Sequence, residues 1–200
     1  MFTTFTRRFA FLPFWQPSTG AAKAVGTPRW RDLARRKSVD PAGLGWDLIQ
    51  DPRAVASAGA NILHLFGQVL DFDGNPVEDV TVEIWQPGPD GTERFDGQTL
   101  ALETDNGYAG YGAARTNRFG GYRFQTILPV APDTCPPHID ARLKPAKGRV
   151  LATRLYLLDD PRNERDWHFA ALGPSRQAAV MLDPIKRADG AFEAGFNFVI

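Results

Sequence analysis

His138-Ile139-Asp140 is the stretch of this chain with the most chemical potential. On a β-strand, residues i and i+2 share a face, so His138 and Asp140 would present an imidazole and a carboxylate side by side. A carboxylate in that position orients the ring and raises its pKa, which makes an acid–base pair for isomerisation, cyclisation or hydration. With Glu93 added, the set becomes two carboxylates and one histidine. That set suits Fe(II), Mn or Zn with coordination positions left open for water or substrate. Arg154 offers a planar fork that can grip a substrate carboxylate or Asp140 itself. The plainer alternative is that His138 and Asp140 only hydrogen-bond to one another at the rim of a pocket.

Other residues of reactive type read as structural. His64 alternates with apolar neighbours in Leu63-His64-Leu65, and His168 sits in a charged loop. Cys135 lies between Thr134 and Pro136, with no basic residue near it in sequence to activate the thiol. Tyr122 and Tyr156 read as core or sheet-face aromatics. Tyr108 and Tyr111 flank glycines in a loop.

The elements that must position these groups are strands. Residues 62–70 form an apolar run closed by the turn-forming Asp-Phe-Asp-Gly-Asn-Pro. Residues 80–86 alternate, with Val80, Val82 and Ile84 on one side and Thr81, Glu83 and Trp85 on the other. Further strands are expected at 121–127, 138–143, 149–158 and 192–199. Residues 1–60 carry many Pro and Gly breakers and read as an irregular arm, with short helices at 30–37 and 46–54. After residue 60 the one helical signal is a turn at 175–180. The pattern predicts an all-β domain, a two-sheet β-sandwich over residues 61–200, preceded by a partly helical N-terminal arm over 1–60.

Composition narrows the function. Lys+Arg and Asp+Glu both number 23, so no global field draws the chain to nucleic acid or an anionic membrane. Residues 1–40 hold a local excess of arginine and lysine, suited to a solvated arm or a subunit contact. A single cysteine excludes an internal disulfide and fits a reducing compartment. The apolar stretch at 9–15 follows two arginines but is broken by Pro13, and no run reaches the roughly 18–20 residues of a membrane span. A soluble, cytoplasmic protein is expected.

Several strings, taken in order, resemble the intradiol ring-cleavage dioxygenases, specifically the protocatechuate 3,4-dioxygenase group. They are Leu65-Phe66-Gly67-Gln68-Val69, Asp73-Gly74-Asn75-Pro76-Val77, Val82-Glu83-Ile84-Trp85-Gln86, Phe119-Gly120-Gly121-Tyr122-Arg123-Phe124, Pro137-His138-Ile139 and Thr153-Arg154-Leu155-Tyr156-Leu157. The resemblance implies a ferric centre held by two tyrosinates and two histidines, acting on a small aromatic substrate. Residue by residue, those positions read Glu93, Pro132, His138 and Asp140, so His138 alone keeps the family's ligand. Cys135 stands where the family has an arginine, and Arg154 where it has a glutamine.

Such losses resemble the α-type chain of protocatechuate 3,4-dioxygenase, which has the fold without the iron. That likeness implies Fe(III) on a homologous iron-bearing partner chain, with Thr19-Gly20 of the arm near the partner's pocket. The alternative expectation is a stand-alone enzyme or homo-oligomer that reuses the pocket through Glu93, His138, Asp140 and Arg154.

Overall fold

A computed structural model describes residues 25–30, 45–93, 107–132 and 135–200. The expected arm segment at 1–24, including Thr19-Gly20, and most of the expected helix at 30–37 lie outside the described residues. The architecture is the expected sandwich of two five-stranded sheets.

The first sheet is built on β1 (Ile62–Leu70), which pairs antiparallel with β4 (Gly121–Ile127) along most of its length. Its other edge carries β9 (Phe192–Gly195) and β10 (Phe198–Val199), both parallel to it, and β9 pairs with β8 (Ile185–Lys186). The second sheet runs β3 (Tyr111–Arg115), β2 (Thr81–Trp85), β5 (His138–Lys144), β6 (Leu151–Leu157) and β7 (Met181–Leu182). Leu63, Leu65, Val69, Tyr122 and Phe124 of the first sheet meet Val82, Ile84, Ile139, Ala141, Leu143 and Leu155 of the second in one core.

Three expectations are corrected. The run 192–199 is two strands rather than one, because ladder pairing with β1 is interrupted at Phe196 and Asn197 with no change of register. Gly67 allows the close approach of the two chains there: a Cβ on it would lie on the Phe196 carbonyl oxygen. The Tyr122 hydroxyl donates to that same carbonyl at 2.8 Å, and Asn197 Oδ1 accepts the Gln68 amide at 2.9 Å. Gly67→Ala should therefore cost about 1–3 kcal/mol by forcing backbone apart in the core, seen as a lowered urea midpoint with an unchanged slope.

The helix expected at 46–54 lies further on, as α1 (Pro52–Ser57). Asp51 caps it, accepting the Arg53 and Ala54 amides, and Pro52 takes the first turn, where no amide is required. Residues before it are extended and bridge Asp47 to Gln125 and Ile49 to Tyr108. Finally, Tyr111–Arg115 is a paired edge strand, not a loop. Two short helices follow β6, α2 (Trp167–Ala170) and α3 (Pro174–Ala178), the second where a turn was expected. No helix among the described residues is long and apolar enough to cross a membrane.

Candidate functional site

The strand register sets the site. Across the second sheet, Tyr111 lies opposite Trp85, Trp85 opposite Asp140, and Asp140 opposite Arg154. One step along, Glu83 faces Arg142; in the other direction His138 faces Tyr156. By the alternation of strands these residues share the face turned away from the sandwich core. That face is nonetheless buried. His138 and Asp140 are each 1% exposed, and Trp85, Tyr156 and Arg142 are barely more so.

Burying charge demands pairing, and the site meets that demand. Arg154 grips Asp140 with both prongs, Nε to Oδ1 at 2.7 Å and Nη2 to Oδ2 at 3.1 Å. Its Nη1 approaches Asp166 Oδ2 at 3.5 Å, and the Trp30 ring lies 4.3 Å from the guanidinium carbon. Burial alone would lower the Arg154 pKa, but the charge and hydrogen bonds of Asp140 override it and raise it. The Tyr156 hydroxyl donates to Asp166 Oδ1 at 3.2 Å, and burial followed by the Asp166 charge pushes its pKa up. Asp166 also caps α2, accepting the His168 and Phe169 amides.

His138 Nδ1 lies 2.8 Å from the Pro136 carbonyl, so that nitrogen carries the proton and donates. Nε2 faces Asp140 Oδ2 at 3.9 Å, beyond hydrogen-bond reach. Burial lowers the His138 pKa against the opposing pull of Asp140, which leaves a neutral ring with an accepting Nε2 at pH 7. In the unfolded chain the ring protonates near the ordinary value of about 6.5, while the folded ring resists. Stability from this group is thus lost as pH falls through the unfolded value toward the lowered folded one. His138→Asn abolishes that loss, so the stability gap between parent and variant should narrow from about pH 7.5 to about pH 5. Urea denaturation at each pH reads the gap; a constant gap would contradict the buried neutral ring.

Of the four residues singled out in the sequence, the structure brings three together. Glu93 is exposed at the end of the described loop after β2, and its charge acts on His138. Arg154 pairs with Asp140 rather than standing free for a substrate. Trp30, Tyr156 and Asp166 complete the cluster and were not read as site residues. Only the i, i+2 alternation on β6 placed Tyr156 on the face of Arg154; nothing local pointed to Trp30 or Asp166. Cys135, isolated among prolines in sequence, has its Sγ 3.8 Å from His138 Nδ1.

The donor set does not fit a ferric ion. Both Asp140 oxygens are bound by a cation, Pro132 has no side-chain donor, and Glu93 is exposed. Among the described residues no group of three or more His, Cys, Asp and Glu gathers to hold a metal.

The family described as Dioxygenase matches residues 44–200. A putative dioxygenase of Rickettsia conorii is 32% identical over 100 residues, 46% of this chain and 48% of that protein. The protocatechuate 3,4-dioxygenase beta chain of Burkholderia cepacia is 35% identical over 105 residues, 48% of this chain and 44% of that one. The matched stretch spans about half the length of these curated relatives. Among solved structures, the intradiol ring-cleavage dioxygenase of Tetranychus urticae superposes with a TM-score of 0.67 at 16% identity, covering 88% of this chain and 95% of that one. The dioxygenase domain of a carbohydrate-binding fusion from Streptomyces sp. SirexAA-E gives 0.64 at 23% identity, with coverages of 88% and 98%. At these identities the structures speak for the fold, and the family match over residues 44–200 carries the assignment: this chain belongs to the intradiol ring-cleavage dioxygenases.

Proposed function

We propose that this chain is an α-type, iron-free subunit of a protocatechuate 3,4-dioxygenase-like enzyme, assembling with a homologous chain that holds Fe(III). One observation carries the reading. The carboxylate at the fourth ligand position is clamped by Arg154 in a buried two-pronged ion pair. A guanidinium there repels a trivalent cation and occupies both oxygens that would bind it. One of the matched curated relatives is a beta chain; α- and β-type chains are homologous, so that similarity does not choose between them. Glu93, Pro132 and Asp140 at the ligand positions favour the α-type. The substrate would be a small aromatic diol, cleaved on the partner, with this chain contributing surface to the assembly.

Expression alone and together with an iron-bearing homologue tests the reading. Together, the two chains should copurify with iron in proportion to the partner only. Ring cleavage or burgundy tyrosinate–iron colour from this chain alone would overturn it.

A second reading rests on the accepting Nε2 of His138 beside Asp140. In it His138 acts as a general base within the remodelled pocket of a stand-alone enzyme, Asp140 and Arg154 hold its surroundings, and Glu93 serves at the rim. Turnover by the chain alone that is lost in His138→Ala would favour this reading over the first.

A further inference from the structure

The outer face of the first sheet carries exposed apolar side chains and an ordered set of charges. Alternation turns His64 and Phe66 of β1 away from the core. The register puts Gln125 and Glu193 on either side of His64, and Arg123 and Gly195 on either side of Phe66. Beyond β9, Ile185 of β8 stands opposite Glu193; beyond β4, Asp47 bridges to Gln125. Trp46, Phe66 and Ile185 are all exposed. The Phe66 ring lies over Gly195, which places no side chain against it, so the middle of the face is apolar. Exposed aromatic surface of this kind, with arginine beside it, marks contact sites.

Each flank of the face holds both signs of charge. On the β4 side Arg123 is the inner charge, next to β1, and its guanidinium carbon lies 4.4 Å from the centre of the Trp46 ring, which directs it. Asp47 is the outer charge and bonds neutral groups, the Ile49 amide and the Gln125 side-chain amide. On the β9 side the order is reversed: Glu193 is inner, and Arg187, just after β8, is outer. Arg187 reaches Glu193 at 3.5 Å and Asp189 at 3.3 Å, contacts between half-exposed side chains that water screens. A two-fold rotation about an axis along β1 exchanges the flanks. It sets Arg123 of one copy over Glu193 of the other, Asp47 over Arg187, Trp46 over Ile185, and Phe66 over Phe66. A uniformly acidic or basic partner would instead meet like charge on both flanks.

We propose that this face joins two copies of the chain in an isologous dimer, the two first sheets packed face to face with their β1 strands in line. Phe66, Trp46 and Ile185 supply the apolar contact, and the four charges fix the register and exclude other orientations. The face lies on the far side of the sandwich from His138, Asp140 and Arg154, which the second sheet turns outward. The dimer thus goes beyond the subunit reading and leaves the remodelled site free for a homologous chain.

Sedimentation of the purified full chain over a concentration series tests the proposal. The parent should dimerise. Arg123→Glu and Glu193→Arg should each raise the dimer dissociation constant at least about tenfold, since each sets like charges across the interface at two symmetry-related places. Glu193→Arg leaves the stacking of Arg123 on Trp46 intact, so its effect reads the contact between copies. Combining the two reversals pairs the charges again in the opposite sense and should restore the dimer. Urea midpoints show that each variant is folded. A parent that stays monomeric at every concentration overturns the proposal. So does a dimer indifferent to both reversals, as one held by the second sheet would be, or a double variant that does not reassociate. Binding of an iron-bearing homologue is read separately. It should survive Arg123→Glu, and its absence in the parent would strike the subunit reading alone.

Discussion

Arg154→Ala should lower the stability of the chain by about 3–5 kcal/mol, the range for breaking a buried ion pair from one side. The variant leaves Asp140 inside the protein, 1% exposed, with both oxygens stripped of their donors. Asp166 loses an ion-pair partner and Trp30 the cation it stacks on. Arg154→Lys restores the charge but not the fork, so it should recover only part of the loss. Removing both charges, as in Asp140→Leu with Arg154→Met, should recover most of it, because neither partner is then stranded. Urea denaturation of the set decides the matter: an Arg154→Ala cost below about 1 kcal/mol would mean the pair is solvated. The set also separates structure from function. If the doubly neutral protein still assembles with an iron-bearing chain and the assembly remains active, the pair is a structural filler of the old ligand position.

The sequence showed a good part of this site and concealed the rest for identifiable reasons. His138 and Asp140 share a strand, so their juxtaposition follows from a period of two, and the strand itself was legible in its bounds. The pairing of Arg154 with Asp140 was one of two weighed outcomes, and the register of β5 against β6 decides it. Gly121–Ile127 was legible because glycine starts it and apolar residues alternate through it. Tyr111–Arg115 was not. Its Tyr-Gly-Ala-Ala-Arg run has no alternation and contains a strand-weakening glycine, so only pairing with β2 makes it a strand. Trp30 and Asp166 reach the site from segments far apart in the chain, and Cys135 comes within electrostatic reach of Arg154 only once β5 and β6 pair. No local pattern announces such contacts.

The alternation of 80–86 was legible too, but its meaning was not, and that difference leads to the second large effect. Thr81, Glu83 and Trp85 point away from the core, a direction that ordinarily faces solvent. Glu83 is nevertheless 0% exposed and Arg142, opposite it, 2%. Its two carboxylate oxygens take Arg142 and Lys144 separately, Lys144 remaining partly exposed. The Arg142 guanidinium also lies over the Trp85 ring, 5.5 Å from its centre. One buried carboxylate therefore pairs with two cations. Burial, then the Glu83 charge, drives the Tyr111 pKa up, so the phenol stays protonated at this junction.

Glu83→Gln keeps the shape and removes the charge. It should cost about 3–5 kcal/mol, because Arg142 then loses the buried carboxylate it pairs with. Lys144 can turn toward water; Arg142 cannot. Glu83→Gln with Arg142→Met should recover most of the loss, because Lys144 is partly exposed and keeps its access to water. Combining Glu83→Gln with Arg154→Ala asks a larger question. Trp85 stands in register with Asp140 and beneath Arg142, so the two ion clusters meet at its ring. Losses that add to within about 0.5 kcal/mol would make them independent, whereas a larger departure would make the face one charged network. In the coupled case, each charge added or removed near the former ligand positions changes the balance of the whole face. A site organised in that way resists conversion back to an iron site by a single substitution at Asp140.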